Sequence, residues 1–493
     1  MPSFVELSQQ GVGARVPDRR ALLALIAVAA VALAIALLPL SWAVLLVAGG
    51  IVFIVTLVRP QFGVLLIVPL IPFGSVRQAR LGAMNIGATE LLVALVLAAW
   101  LMRMVARREV RITWPPLTLP LAVFIGVLLL STLGAASLPY SLKELLKWLE
   151  VLALYVLVAN EMRGGWTVAL VAVVLGTGAL AALQGIYQFL FQVGPEGFVL
   201  FGRFMRAYGM FEQPNPYAGY LGLTLPVALG LIGAAIVPVG KRPGGRWLVW
   251  AVGCGSLMFV AMIMSWSRGA WLGLAAAIAV MLLAIVARSS RAALLGLVFV
   301  VLGGYLLLAG GVALIPPSIV QRFADFVPYV GVIDVRGVEI TDANFAVLER
   351  MAHWQSALAM WTDNPWLGVG IGNYEPVYPR YALPLWPYAL GHAHNYYLNI
   401  AAETGVLGLI SYLVLWATAL LYAWRSARKA SGWYWGVALG VLGVLVHLTV
   451  HNLVDNLYVH SMYLQVAMLL AIRTADARDG VPQQWFLHRH REP

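Results

Sequence analysis

The chain has 493 residues, of which 61% are hydrophobic and only 11% carry a charge, and its mean hydropathy is +0.86. Soluble domains carry about 25% charged residues, so this composition excludes a soluble enzyme. The formal net charge of +11 would suit a nucleic-acid partner, but the positions of the basic residues argue against one.

Apolar segments along the whole chain predict an all-α, polytopic integral membrane protein. Most charge-free stretches approach or exceed the roughly 20 residues that a helix needs to cross a bilayer, and about fourteen transmembrane helices are expected. Segment 61–75 is short and contains Pro69 and Pro72, so it either spans or is re-entrant. The expected spans are 21–39, 41–58, 61–75, 86–105, 117–136, 143–160, 167–191, 216–238, 247–265, 269–287, 292–315, 395–424, 432–454 and 456–472.

Basic residues near the span ends predict the orientation. With the N-terminus in the cytoplasm, 21 of the 32 basic residues fall on the cytoplasmic side of this layout, as the positive-inside bias requires. A spanning segment 61–75 keeps the cluster at 103–111 on that side, which favours a span. The positive charge therefore indicates topology and not a nucleic-acid partner. The basic clusters lie at 15–20, 103–111, 241–246, 288–291 and 425–429.

This layout predicts a multi-pass membrane protein in five parts. The N-terminal apolar run lacks a clear small-residue cleavage site, so we interpret it as a retained helix. The only cysteine, Cys254, lies in an apolar stretch, which excludes a disulfide framework and a cysteine-based metal site. The parts are a cytoplasmic segment (1–20), transmembrane helices 1–11 (21–315), a large periplasmic loop with short helices (316–395), transmembrane helices 12–14 (395–472) and a cytoplasmic tail (473–493).

Three arginines on the outer side are candidates for ligand binding. Arg268 lies between two spans with almost no connecting loop, and an ionisable group at that depth is costly and usually functional. Arg203 and Arg206 precede an outer connection that ends at Asn215. The alternative is that all three are interfacial anchors that snorkel to lipid headgroups. If they converge on one cavity, they form a permanently charged, bidentate receptor for phosphate.

Histidines provide the second signal. His394 ends the large loop where the next helix begins, and an imidazole there can exchange a proton with a hydroxyl, although a structural role is the alternative. His447, His451 and Asp455 recur every four residues, which predicts one face of a helix. Either a polar interhelical network or a metal site fits that spacing, and nothing in the sequence selects the metal.

The large loop itself shows no hydrolase pattern. Its seven carboxylates do not suggest the acid and nucleophile pair of a glycosidase, so hydrolysis is not expected. Segment 344–363 reads as an amphipathic helix, with Leu348, Ala352 and Leu358 near its apolar face and His353 elsewhere.

Four segments, in this order, resemble the O-antigen ligase superfamily, which includes O-antigen ligases, polysaccharide polymerases and protein O-oligosaccharyltransferases. The resemblance runs from about residue 203 to about residue 455. Met210 departs from the pattern because it separates Gly209 from Phe211. The segments are Arg206 through Asn215 with Tyr220; Ser267-Arg268-Gly269 with Trp271; Arg350, Trp354, Asp363, Pro365, Gly368, Gly370, Gly372 and Asn373; and His394-Asn395 with Leu398, Glu403, Gly405 and Gly408.

The resemblance implies transfer of a glycan from a polyprenyl (undecaprenyl) diphosphate carrier to an acceptor hydroxyl. The expected place is the outer face of the bacterial cytoplasmic (inner) membrane, and the expected reaction inverts the anomeric carbon without a metal or other cofactor. By position, Arg206 and Arg268 hold the diphosphate and His394 acts on the acceptor. The expected acceptor is a glycan, a lipid A-core or a protein. Ligase activity, as in lipopolysaccharide biosynthesis, is slightly favoured by analogy alone. Further substrate contacts and orienting groups are expected at Arg203, Asn215, Arg350, Asn395, Glu403, His451 and Asp455.

Two readings from other classes stay open. A transporter or flippase for a lipid-linked glycan would use the same arginines to bind the diphosphate, although we see no internal repeat of the kind that marks many transporters. A structural scaffold with a polar cavity is the third reading. A long outer loop that ends in His394 favours the enzyme.

Overall fold

The computed structural model describes residues 36–74, 79–81, 84–237, 239–288, 334–341 and 344–472, with scattered positions between 19 and 33. The chain divides into two compact units, Met1–Val58 and Arg59–Pro493. The first unit contains α1 (Leu40–Val58), an apolar helix of 19 residues. Every candidate site residue belongs to the second unit.

Helices dominate the described part of the second unit. Two short antiparallel hairpins accompany them: β1 (Ala79–Leu81) with β2 (Met84–Ile86), and β3 (Val199–Leu200) with β4 (Phe204–Met205). The helices are α2 (Pro60–Phe73), α3 (Ala88–Arg107), α4 (Thr118–Ser131), α5 (Leu138–Glu161), α6 (Gly165–Leu190), α7 (Pro214–Gly222), α8 (Leu225–Ile236), α9 (Gly245–Met264), α10 (Arg268–Val286), α11 (Phe345–Asp363), α12 (Tyr374–Val377), α13 (Tyr396–Lys429), α14 (Gly432–His451) and α15 (Met462–Leu470).

Within the described part of the chain, eight helical segments are long and apolar enough to cross a membrane. The prediction of a mostly helical membrane protein is therefore confirmed. The segments are α1, α3, α6, α7 with α8, α9, α10, α13 and α14. The interruption between α7 and α8 falls at Leu223 and Thr224, just before Pro226, which has no N–H to continue a helix.

The other expected spans remain predictions. The spans 61–75 and 117–136 correspond to α2 and α4, which have 14 residues each, and 456–472 corresponds to the nine-residue α15. The span 143–160 lies within α5, whose charged residues lower its hydropathy. The span 21–39 lies largely outside the described residues, and 292–315 lies entirely outside them, as does the tail 473–493.

Helix α14 forms the centre of the bundle, and nearly all of its residues are buried. It packs against α8, α10 and α13. Glycines allow this close approach: a Cβ on Gly230 would lie only 2.6 Å from the backbone nitrogen of Gly440. A Cβ on Gly273 would lie 2.8 Å from Nδ1 of His447, so glycine also makes room for a buried imidazole.

The predicted amphipathic helix over 344–363 is present as α11, but its buried face differs from the expected one. Leu348 and Ala352 are buried as expected, whereas Leu358 is 43% exposed and His353 is buried. The helix packs against α13, and the His353 ring contacts Tyr374, Tyr378 and His394 in the segment between the two helices. The imidazole therefore belongs to the protein interior and not to a polar surface.

The loop after α11 docks on a kink in α13. Gly405 has a φ of 64°, so the helix changes direction there. The backbone N–H of Val369 donates to the carbonyl of Ala402 at 3.0 Å, and the N–H of Val406 donates to the carbonyl of Pro365 at 2.8 Å. These bonds fix the glycine-rich segment beside the start of α13, where His394 lies.

Candidate active site

The first part of the site is the turn that joins α9 to α10. Arg206, just after β4, donates from Nε to the carbonyl of Ser265 at 2.9 Å and from Nη2 to Oδ1 of Asn215 at 2.9 Å. Arg268 is the first residue of α10, three positions after Ser265. The two arginines predicted to hold a diphosphate therefore border the same turn, and Asn215 orients one of them.

Left-handed backbone at non-glycine residues occurs in several connections of the described chain, and three of these residues lie in or beside segments with predicted site residues. Glu212, Trp266 and His394 have φ angles of 59°, 55° and 50°. Each such residue costs on the order of 1–3 kcal/mol and persists where its surroundings over-determine it, which happens most often at functional sites. Glu212, Trp266 and His394 thus place left-handed backbone within or next to three of the four segments that carry the resemblance.

The second part of the site is a cluster of histidines around Asp455. Oδ1 of Asp455 lies 3.8 Å from Nδ1 of His394 and 4.0 Å from Nε2 of His392. The ring of His353 lies 5.6 Å from the ring of His394. Both ring nitrogens of His394 are buried and lack a hydrogen-bond partner among the described residues, although the side chain is 16% exposed. Both nitrogens thus belong to the few buried polar atoms without a partner in the described part of the chain.

Contacts join the two parts. A Cβ on Gly269 would lie 2.8 Å from His451 and 2.8 Å from Val454, so the start of α10 packs tightly against the segment that leads to Asp455. From the other side, Nε of Arg350 donates to the carbonyl of Val454 at 3.3 Å. The segment before Asp455 is therefore held between the arginine turn and α11.

The electrostatics of the cluster follow from burial and proximity. Burial alone would raise the pKa of Asp455, but the facing ring of His394 and the charges of His392, His394 and His451 hold that pKa below its usual range. Burial, with a smaller contribution from His394, lowers the pKa of His353 to about 4. The carboxylate is thus ionised and His353 is neutral at neutral pH.

The expected helix face of His447, His451 and Asp455 needs correction. Helix α14 ends at His451, and Asp455 lies in the connection beyond it. His447 is buried in the bundle, with its Nε2 3.4 Å from Nδ1 of His451, so these two form a buried pair within α14. Among the described residues, the group whose donor atoms lie within 4.8 Å of one another is instead His392, His394 and Asp455.

Two further candidates, Asn395 and Glu403, form hydrogen bonds that hold the backbone around His394, and a third, Arg203, is exposed. Asn395 caps α13 by accepting the N–H of Leu398 at 3.1 Å. Glu403 is buried and accepts the N–H of Tyr374 at 3.1 Å, and the Tyr374 hydroxyl lies 2.9 Å from Nδ1 of His353. Glu403 thus holds the glycine-rich segment in place. The remaining candidate, Arg203, is exposed in the β3–β4 turn with its guanidinium 5.2 Å from the centre of the Phe204 ring.

Sequence reasoning missed His353 and gave no role to His392. The signal for His392 was its position two residues before His394. No such signal marks His353, because its burial depends on tertiary contacts of its ring with Tyr374, Tyr378 and His394. Both rings adjoin that of His394, His392 at 4.5 Å and His353 at 5.6 Å between ring centres.

Residues 254–413 match the model of the family described as O-Antigen ligase, which covers about a third of the chain. No curated protein matches the chain. The matched range contains Arg268, Arg350, His394 and Glu403, whereas Arg206 and Asp455 lie outside it. The predicted resemblance to the O-antigen ligase superfamily is thereby confirmed for this part of the chain, and the members of the matched family are ligase- or polymerase-type glycosyltransferases.

Proposed function

We propose that this protein transfers a glycan from a polyprenyl diphosphate carrier, in bacteria undecaprenyl diphosphate, to an acceptor hydroxyl at the outer face of the cytoplasmic membrane. The observation that carries the proposal is the packing of Gly269 against His451 and Val454. It brings the turn bordered by Arg206 and Arg268 next to the segment that bears Asp455, which faces His394. Cationic and proton-accepting groups therefore belong to one site.

In this mechanism the two arginines bind the diphosphate of the donor. The bond between the anomeric carbon and the phosphate oxygen breaks, and negative charge develops on that oxygen. Guanidinium groups that are already oriented stabilise this charge, and such preorganised electrostatic stabilisation is usually the largest single catalytic effect. Asn215 contributes by orienting Arg206 through the 2.9 Å hydrogen bond. Arg350 contributes positive charge from α11.

His394 acts as the general base. The Asp455 carboxylate faces Nδ1 at 3.8 Å, so the neutral ring carries its proton on Nδ1 and presents a lone pair at Nε2. The acceptor oxygen attacks the anomeric carbon from the side opposite the diphosphate and gives its proton to Nε2. The products are the inverted glycoside and the free polyprenyl diphosphate. A base in this role contributes about 10²- to 10⁴-fold in rate.

The ends of the helices support the orientation. Helix α13 starts next to His394 and ends with the basic residues Arg428 and Lys429. Helix α9 has Arg246 in its first turn and ends at the site, beside Ser265. Helix α10 starts at the site with Arg268, and Arg288 follows its other end. The positive-inside bias assigns the basic ends to the cytoplasm, so the site faces the periplasm.

The acceptor must enter by local movement, because Nδ1 and Nε2 of His394 are buried. The segment before His394 and the connection that carries Asp455 border this ring, and one of them must open. We place the protein with the ligases, which use a lipid-linked acceptor such as lipid A-core, by analogy within the superfamily. Polymerases and protein O-oligosaccharyltransferases use the same donor chemistry.

The test is an incubation of the purified protein in nanodiscs with a polyprenyl diphosphate oligosaccharide and three acceptors: a lipid A-core, the oligosaccharide itself and a serine-containing protein. We expect free polyprenyl diphosphate to accumulate together with one glycosylated acceptor, and EDTA to leave the rate unchanged. The acceptor that reacts distinguishes ligase, polymerase and protein transferase. Movement of intact donor across the bilayer without release of diphosphate would instead indicate a flippase.

A further inference from the structure

His392 is the imidazole beside the site that the mechanism above does not use. Its ring centre lies 4.5 Å from that of His394, with the two rings nearly perpendicular at 71°. The side chain is 17% exposed. Its Nδ1 contacts the backbone of His394, and its Nε2 faces the carboxylate of Asp455.

The Nδ1 atom holds the backbone of His394. It accepts the N–H of His394 at 3.1 Å. On the other side of the same residue, Nε1 of Trp354 donates to the His394 carbonyl at 3.3 Å. Because His394 has a φ of 50°, these side-chain bonds hold a conformation that the residue does not favour. The direction of the His394 ring depends on that conformation.

The Nε2 atom faces the carboxylate. A neutral imidazole has one protonated nitrogen, and Nδ1 of His392 already acts as an acceptor, so the proton is on Nε2. Burial and the neighbouring His394 ring lower the pKa of His392 to about 3, which keeps the ring neutral at neutral pH. The Nε2–H group therefore points towards Oδ1 of Asp455, 4.0 Å away. This tautomer has no lone pair at Nε2 for a metal ion, which favours a hydrogen-bonding role for the cluster.

We infer that His392 is a positioning residue for His394. It holds the backbone N–H of His394 in the left-handed conformation, and its Nε2–H faces the carboxylate that also faces the His394 ring. The inference rests on the proposed role of His394 as the base. A substitution of His392 should therefore change turnover and not donor binding, because the arginines proposed to bind the diphosphate, Arg206 and Arg268, border the α9–α10 turn.

Three substitutions separate the two contacts. His392→Ala removes both, His392→Asn keeps an acceptor near the Nδ1 position, and His392→Gln keeps a donor near the Nε2 position. Since 3.1 Å is a true hydrogen-bond distance and 4.0 Å is not, the Nδ1 contact should matter more. We expect His392→Ala to lower kcat by about 10- to 100-fold, with KM for the donor and thermal stability unchanged. Asn should restore more of kcat than Gln, and added imidazole should partly rescue the Ala variant.

Several results would overturn the inference. They are a wild-type kcat in His392→Ala, losses of donor binding and thermal stability that parallel the loss of kcat, and a greater recovery with Gln than with Asn. The His394→Ala variant distinguishes this failure from failure of the proposed function. If His394→Ala is inactive while His392→Ala has normal activity, His394 remains the proposed base and the positioning role of His392 is wrong. If His394→Ala stays active, the proposed function itself is wrong. Selective ¹⁵N-histidine NMR checks the His392 tautomer without any activity measurement, and a protonated Nδ1 would contradict the inference.

Discussion

Two polar regions border the connection between α14 and α15, residues 452–461, and they are built differently. On one side, Asp455 faces the histidine cluster, where both ring nitrogens of His394 lack partners among the described residues. On the other side, the carbonyl of Tyr458 accepts from Nζ of Lys147 at 3.4 Å, and the hydroxyl of Ser461 donates to Glu90 at 3.1 Å.

The second region pairs its charges. Lys147 forms an ion pair with Glu144, and the hydroxyl of Tyr463 donates to Glu150 at 2.9 Å. A buried polar network with its hydrogen bonds satisfied rigidifies a fold, whereas a buried polar atom without a partner is costly and calls for an explanation such as catalysis. The comparison therefore agrees with the proposed chemistry on the histidine side and with a mainly stabilising role for the paired charges on the lysine side.

Removal of the base should have the largest effect. His394→Ala should lower kcat by about 10²- to 10⁴-fold while donor binding persists, because the arginines that bind the diphosphate are intact. The measurement is single-turnover release of polyprenyl diphosphate alongside equilibrium donor binding. His460→Ala, a histidine that packs edge-on against Phe211, is the matched control and should keep its activity. Near-normal transfer by His394→Ala would show that the histidine side has no catalytic role that distinguishes it from the lysine side.

A change at the arginine turn should have a smaller effect of a different kind. Arg268→Lys keeps the charge but replaces a planar, bidentate group with a point charge, so both donor binding and turnover should fall, each on the order of 10-fold. Steady-state kinetics with varied donor concentration separates the two parameters. The exposed Arg336, which pairs with Asp334, provides the control Arg336→Lys. A loss confined to kcat would contradict the assignment of Arg268 to the diphosphate.

On the lysine side, stability should change and chemistry should not. Lys147→Met removes the ion pair with Glu144 and the bond to Tyr458, and the unpaired carboxylate should cost about 1–3 kcal/mol of unfolding free energy. The Tm in detergent should fall while kcat at permissive temperature stays near the wild-type value. Arg336→Met, which breaks an exposed pair, should leave the Tm unchanged. Loss of kcat without loss of Tm would give the lysine side a catalytic role.

A gradual effect on stability is expected from pH. Because burial lowers the pKa of His353 from 6.5 to about 4, the unfolded chain binds a proton in this interval that the folded chain does not. The free energy of unfolding should therefore fall as the pH drops from about 6.5 to about 4. Thermal unfolding at several pH values measures this slope, and His353→Gln should flatten it. An identical slope in the variant would place the titration on another group.

The sequence alone determined the membrane class, the helices α11 and α13, and the positions of Arg206, Arg268 and His394, because hydropathy, periodicity and motif spacing are local properties of the chain. It also predicted a single helix face for His447, His451 and Asp455, which was wrong because α14 ends at His451. The inward turn of His353, the tautomer of His392 and the contact of Gly269 with the segment before Asp455 were decided by tertiary structure alone. These features join residues from α10, α11 and the 452–461 connection. These contacts form between segments that are far apart in the sequence, so hydropathy, periodicity and motif spacing do not specify which buried polar groups find a hydrogen-bond partner.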